Sequence, residues 1–224
     1  MLIKSLKKLK INVKYQKNMK LFKIHCSQIG KIMSNAKVKG ELSATCKTFL
    51  MEWYANDREQ IHSKYIMKGN LVEIDLIDFM AEQIGLGMAQ KNEVTVHNEW
   101  MVGTCDVITN HLIVDVKAAW SRKTLQQQAI EGINSDYEWQ GRGYMALYER
   151  PTFIVFHGLM NTPEEANYDG EVVYDDLPDN ERWVAYQVQR DVTIEQQIIQ
   201  RVIQCREWLE EYDKKMLATL GKIH

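Results

Sequence analysis

Apolar and polar positions along the chain change period repeatedly, and each change marks an element. Residues 27–36 carry a short helical pattern opened by Ser27, a good N-cap type, and residues 45–66 are largely helical in character. Asn70 is placed to cap a further helix running to about Ile84, where Gly85 and Gly87 stop it. The period then shortens. Residues 93–102, 104–108 and 112–119 read as strands, with Asn110-His111 as the turn between the last two. Helical spacing returns over 124–134, and again from Ser135 or Asp136 to just before Pro151. Residues 152–160 form an apolar run short enough for a buried strand, 161–181 are acidic and loop-like, and 182–190 alternate as a strand. Thr193 with Gln196 reads as a capping box for a long amphipathic helix to about Leu220. There is no internal repeat, and Pro151, Pro163 and Pro178 all fall at boundaries or in loops. This order predicts an α/β fold with a central mixed β-sheet flanked by helices.

Composition narrows the picture further. A chain of 224 residues with 45% hydrophobic content can bury a sizeable core as one domain with a small appendage. No run of eighteen apolar residues marks a membrane span, and no apolar segment of signal-peptide type follows the basic N-terminus. Cys26, Cys46, Cys105 and Cys205 are scattered without a CxxC pair, which argues against a zinc ribbon and suits reduced thiols in a cytoplasmic protein. Charge is distributed unevenly. Residues 1–40 hold eleven lysines and no acid, leaving 17 of the 28 basic residues against all 30 acidic ones, a balance of −13 over the rest. The lysine-rich segment reads either as a steering surface for a polyanion or as a solvated tail. Met19 opens an ordered-looking stretch, so residues 1–18 are expected to be a basic extension and 19–224 a single domain.

Against this background a few polar residues stand out by their positions. On a helical wheel Leu76, Ile77, Met80 and Ile84 lie within about 60° of Glu73, whereas Asp75, Asp78 and Glu82 lie on the far side. Glu73 is therefore a carboxylate in an apolar stripe and needs a partner, either a metal cation or a basic side chain. In the strand over 112–119, Ile113, Asp115 and Lys117 share one face, and Leu112, Val114, Val116 and Ala118 form a wholly apolar second face. Asp115 and Lys117 are either a structural ion pair or half of a metal site with a polyanionic ligand. Asp106, nine residues earlier, comes back toward Asp115 across the hairpin. Carboxylate oxygens, with the carbonyl of Val116 as a further donor, suit Mg²⁺ or Mn²⁺ rather than zinc. Gln140 and Tyr144 lie one turn apart on a helix face flanked by Gly141 and Gly143, glycines that suit either close helix–sheet packing or close approach of DNA.

Taken in order, these elements resemble the PD-(D/E)XK nuclease superfamily, and within it the phage lambda-type exonucleases and the nuclease domain of bacterial recombination helicase-nucleases. The resemblance rests on Lys68-Gly69 with Glu73, Gly103-Thr104-Cys105-Asp106, Asp115-Val116-Lys117, and Trp139-Gln140-Gly141-Arg142-Gly143-Tyr144, and it extends from residue 20 to about residue 217. It implies a restriction-endonuclease-like core in which Glu73, Asp106, Asp115 and the Val116 carbonyl hold Mg²⁺, with Mn²⁺ able to substitute. It also implies that Lys117 is the catalytic lysine and that Gln140 and Tyr144 organise the site and touch the DNA backbone. Lys20 and Ser27 would hold a 5′-terminal phosphate, and Ser121 would contact the substrate. The activity implied is DNA exonuclease action on linear duplex, 5′ to 3′, in phage or prophage recombination or repair inside a bacterial host. A ring-shaped trimer and a single-strand annealing partner come with the same resemblance. An endonuclease on the same core and a DNA-binding protein without catalysis are the alternatives. Two departures are visible: Cys105 stands where relatives often carry proline, and the clustered cysteines of iron–sulfur nucleases are missing, so no iron–sulfur cluster is expected.

Overall fold

In the computed structural model, residues 22–56 and 63–220 are described. Strand β1 (Ile24–His25) leads through a 3-10 turn over Cys26–Gln28 into helix α1 (Ile29–Met33). Ser27 lies inside that turn and is not the cap of a ten-residue helix; Ser34 ends the short α1 in extended backbone. The helical stretch predicted over 45–66 is divided. Helix α2 (Ala44–Ala55) starts where Ser43 accepts the Cys46 N–H and ends at Asn56, in left-handed backbone. Helix α3 (Lys64–Gln83) starts at Ser63, whose hydroxyl accepts the Ile66 N–H. The expected start at Asn70 is thus overturned: the apolar face of Val72, Leu76, Ile77 and Met80 extends back to the buried Lys68, and the helix follows it.

The region expected to be one long strand, 93–102, is mostly irregular. Only β2 (Val96–His97) and β3 (Met101–Gly103) pair, joined by a turn that Asn98 closes by accepting the N–H groups of Trp100 and Met101. These form a three-stranded sheet ordered β1-β3-β2. The main sheet has four strands: β4 (Val107–Ile108), β5 (Leu112–Ala118), β6 (Thr152–Gly158) and β7 (Trp183–Gln189), in that order. β5 and β6 are parallel and the outer pairs antiparallel, so the sheet is mixed as expected. The parallel pair requires a crossover, and helices α4 (Arg122–Glu131) and α5 (Ser135–Tyr148) provide it. The final helix, α6 (Val192–Thr219), begins at Asp191, whose carboxylate accepts the Thr193 and Ile194 N–H groups. Asp191 does the capping expected of Thr193, which lies one residue inside the helix. The acidic segment 161–181 contains two 3-10 turns and a bridge between Thr162 and Val172.

Alternation sorts the two sheet faces. Leu112, Val114, Val116, Ala118, Ile154 and Phe156 pack with Leu76, Ile77 and Met80 of α3. Ile113, Phe153, Val155 and Val188 face the core built by α1, α2, α5 and α6. Asp115 and Lys117 point to this second side, under α5. Among the described residues no helix is long and apolar enough to cross a membrane.

Candidate active site

Strand β4 is short, and its end creates the site. The ladder pairs Val107 with Val114; one step on, Asp106 leaves the strand, and its Oδ2 accepts the Val116 N–H at 2.8 Å. A carboxylate thus replaces a backbone carbonyl at the sheet edge. Within a strand the N–H and C=O of one residue point the same way, so the Val116 carbonyl also lies on the Asp106 side. The turn before Asp106 is held by Asn92, which donates from Nδ2 to the Cys105 carbonyl (2.9 Å) and from its backbone N–H to the Asp106 carbonyl (2.7 Å). Those bonds shape the turn where Cys105 occupies the proline position, and burial pushes the Cys105 thiol up to about 11, so it stays protonated at neutral pH.

Asp115 is buried in the middle of β5. Its Oδ1 accepts from Gln140 Nε2 at 3.1 Å, and its Oδ2 lies 2.5 Å from Lys117 Nζ. Among the described residues that second oxygen meets the Lys117 ammonium alone, leaving acceptor capacity on a buried carboxylate. Burial disfavours the Lys117 ammonium, but Asp115 and Asp106 outweigh it and hold its pKa above the ordinary lysine range. Its Nζ also lies 5.3 Å from the centre of the Tyr137 ring. Gln140 Nε2 donates to Tyr144 Oη at 3.0 Å, and Tyr144 donates to the Thr104 carbonyl at 2.7 Å. One chain of bonds therefore joins Asp115, α5 and the segment before Asp106.

Glu73 occupies the expected stripe of α3, half-buried, and pairs with Lys91 at 2.6 Å. Among the described residues, Asp106 is the one of the three carboxylates without a lysine of its own. Burial and the charge of Asp115 raise it to about 7, against the opposing pull of Lys117 and the Val116 N–H. Three carboxylates thus share the site with two ammonium groups, an excess of negative charge that a divalent cation would reverse. As the side chains lie, no three His, Cys, Asp or Glu among the described residues converge tightly enough to hold a metal ion. The donors nevertheless fit a hard cation: carboxylate oxygens, the Val116 carbonyl on the side where β4 no longer pairs, and a buried Asp115 oxygen with acceptor capacity left. Glu73 would have to release Lys91 to join them.

The remaining expected residues are placed as follows. Ser27 is exposed, and the neighbouring Cys26 Sγ lies 3.1 Å from where a Cβ on Gly143 would stand. Ser121 caps α4 by accepting the Thr124 N–H at 3.3 Å. Lys20, with Met19 and residues 1–18, lies outside the described residues. Gly141 and Gly143 serve packing: added Cβ atoms would strike the Phe153 ring and the Ile29 side chain. Gly103 has the same purpose, with Tyr144 Cε1 2.8 Å from its absent Cβ.

Three residues escaped sequence reasoning. Lys91 lies in an irregular loop and carries no periodic signal. Lys68 is fully buried, and its Nζ donates to the carbonyls of Ala119 (2.8 Å) and Trp120 (3.2 Å) just beyond β5, an inward turn that no charge pattern in the sequence marks. His157 is the register partner of Lys117 and shares its face. It is buried, its Nδ1 has no hydrogen bond among the described residues, and burial with the Lys117 charge lowers it to about 4. A histidine inside the apolar run 152–160 was the available signal.

No protein-family model matches the chain, and neither does any curated protein. Solved structures do. A phage-related exonuclease from Haemophilus somnus 129PT superposes with a TM-score of 0.75 at 24% identity, over 90% of this chain and 99% of that one. An alkaline exonuclease, LHK-Exo, from Laribacter hongkongensis gives 0.65 at 16% identity, over 90% and 96%; its complex with dAMP matches equally, over 91% and 97%. The chain shares its fold with these exonucleases over about nine-tenths of its length, a mixed β-sheet flanked by helices as the order of its elements predicts.

Proposed function

We propose that the chain is a metal-dependent deoxyribonuclease, an exonuclease that hydrolyses linear duplex DNA from the 5′ end. The observation that carries this reading is the buried Asp115, held by Gln140 on one oxygen and facing Lys117 with the other, beside a second carboxylate at the end of β4. The likeness in fold to proteins described as exonucleases supports it. Asp106, Asp115 and the Val116 carbonyl, joined by Glu73, would hold Mg²⁺, and Mn²⁺ could replace it. Bound there, such an ion neutralises charge on a phosphodiester oxygen and lowers the pKa of water. Lys117 stays protonated, orients the attacking water and stabilises the charge that builds on the phosphorus oxygens. Gln140 fixes the rotamer of Asp115, and Tyr144 fixes Gln140 against the Thr104 carbonyl. Ser27, Ser121 and Lys20 are proposed DNA contacts, with Lys20 offering a point charge rather than a bidentate fork. A role in phage recombination, a ring trimer and a single-strand annealing partner complete the proposal; no iron–sulfur cluster belongs to it.

Incubation with linear duplex and with closed circular plasmid, in Mg²⁺ and in EDTA, tests this reading. Progressive loss of the linear form in Mg²⁺ alone, with the circle intact, is expected. Cutting of the circle would make the protein an endonuclease. Binding without cleavage of either would remove catalysis from the account.

A further inference from the structure

Trp120 stands three residues beyond Lys117, just past the end of β5, and an aromatic and basic cluster gathers there. Tyr65, at the start of α3, meets the Trp120 ring edge-on with centroids 5.0 Å apart, and 59% of Tyr65 is exposed. Lys64 Nζ lies 4.7 Å above the Trp120 ring. The platform is braced from within, because buried Lys68 donates to the Ala119 and Trp120 carbonyls. Beside it runs a groove of about 320 Å³ between α3 and the 163–168 segment, lined by Ser63, Lys64, Met67, Asn70, Glu165 and Tyr168. Tyr168 is fully exposed at its edge, and Ile66 and Met67 are about half-exposed. The exposed rings of Tyr65 and Tyr168 beside Lys64, with the half-buried Trp120 behind them, offer base stacking and phosphate neutralisation together. A protein partner would gain little from lysines placed over rings at the rim of a nuclease site, whereas an unpaired strand needs both features.

We propose that Tyr65, Trp120 and Lys64, with the adjoining groove, form a binding site for unpaired nucleotides of single-stranded DNA next to the Lys117 centre. This rests on the nuclease reading for its substrate class, yet it is tested by binding rather than cleavage.

The experiment is fluorescence anisotropy of labelled oligo(dT) with the full chain in EDTA, for wild type, Tyr65→Ala, Tyr65→Phe and Lys64→Ala. Tyr65→Ala should weaken binding about tenfold, the scale of one stacked base, and Tyr65→Phe should restore it. Lys64→Ala should make the plot of log affinity against log salt shallower by about 0.7. Wild type that fails to bind oligo(dT), or Tyr65→Ala that binds as tightly as wild type, overturns the proposal. So does a Tyr65→Ala loss accompanied by dissociation of an oligomer in sedimentation, which would make the patch a contact between copies. Mg²⁺-dependent digestion of duplex by wild type is run alongside. Digestion without Tyr65-dependent binding removes the platform and leaves the nuclease; Tyr65-dependent binding without digestion does the reverse.

Discussion

Replacing Asp106 by asparagine should stabilise the protein at alkaline pH while abolishing its activity. The reason lies in the charge count: Glu73 and Asp115 each have a lysine, and Asp106 is the surplus anion, raised from 3.8 to about 7. A carboxylate whose pKa is raised by folding helps the fold below its unfolded value and loses that help as pH rises through its folded value. Between pH 3.8 and 7 the native state holds a proton the unfolded chain has released, so stability falls with rising pH across that window. At about 1.36 kcal/mol per unit, the raised value costs the fold about 4 kcal/mol at pH 8, where Asp106 is ionised, and about half of that or less at pH 5, where it still holds its proton. Asparagine keeps the shape and can still accept the Val116 N–H, but it has no charge to bury. The advantage of Asp106→Asn over wild type should therefore grow by about 2–3 kcal/mol from pH 5 to pH 8. That is on the order of 5–10 °C in melting temperature for a chain of this size. Thermal unfolding in EDTA at the two pH values measures it, and Mg²⁺ should then raise wild type more than the variant. If Asp106→Asn melts below wild type at pH 8 in EDTA, the surplus-charge argument is wrong.

Other outcomes follow from the same geometry. His157 is held at about 4, so its contribution is present above the ordinary histidine value of 6.5 and is lost as pH falls toward 4, about 3 kcal/mol in all; His157→Phe should flatten that acid limb of the wild-type stability curve. Gly141→Ala places a methyl into the Phe153 ring and should cost at least about 1–3 kcal/mol in urea unfolding, showing that this glycine serves packing. Tyr144→Phe breaks the bond to the Thr104 carbonyl and should cost about 1–2 kcal/mol of stability, with kcat falling more than KM rises as Asp115 loses its support.

The sequence was most legible where period and chemistry coincided. Alternation over 112–118 placed Asp115 and Lys117 on one face and four apolar residues on the other, and the structure agrees, setting that apolar face against α3. The Gln140 and Tyr144 spacing predicted two side chains acting together, and they share a hydrogen bond. Reading failed where local signals competed with long-range packing. Asn70 is a good cap type, but Lys68 is drawn inward by carbonyls some fifty residues away, so α3 continues to Ser63. The strand expected over 93–102 is mostly loop because Asn92 and Asn98 take its backbone bonds into turns. The pairing of Glu73 with Lys91 depends on how that loop lies, which no periodicity records.

The central claim is that a carboxylate-held divalent ion beside Lys117 hydrolyses DNA. Asp115→Asn tests it most directly, since asparagine preserves the volume and the Gln140 contact while removing the charge. Nucleotide release from linear duplex should fall at least about a hundredfold in Mg²⁺, with the variant still folded and still binding DNA in EDTA. Release by folded Asp115→Asn at the wild-type rate would contradict the account.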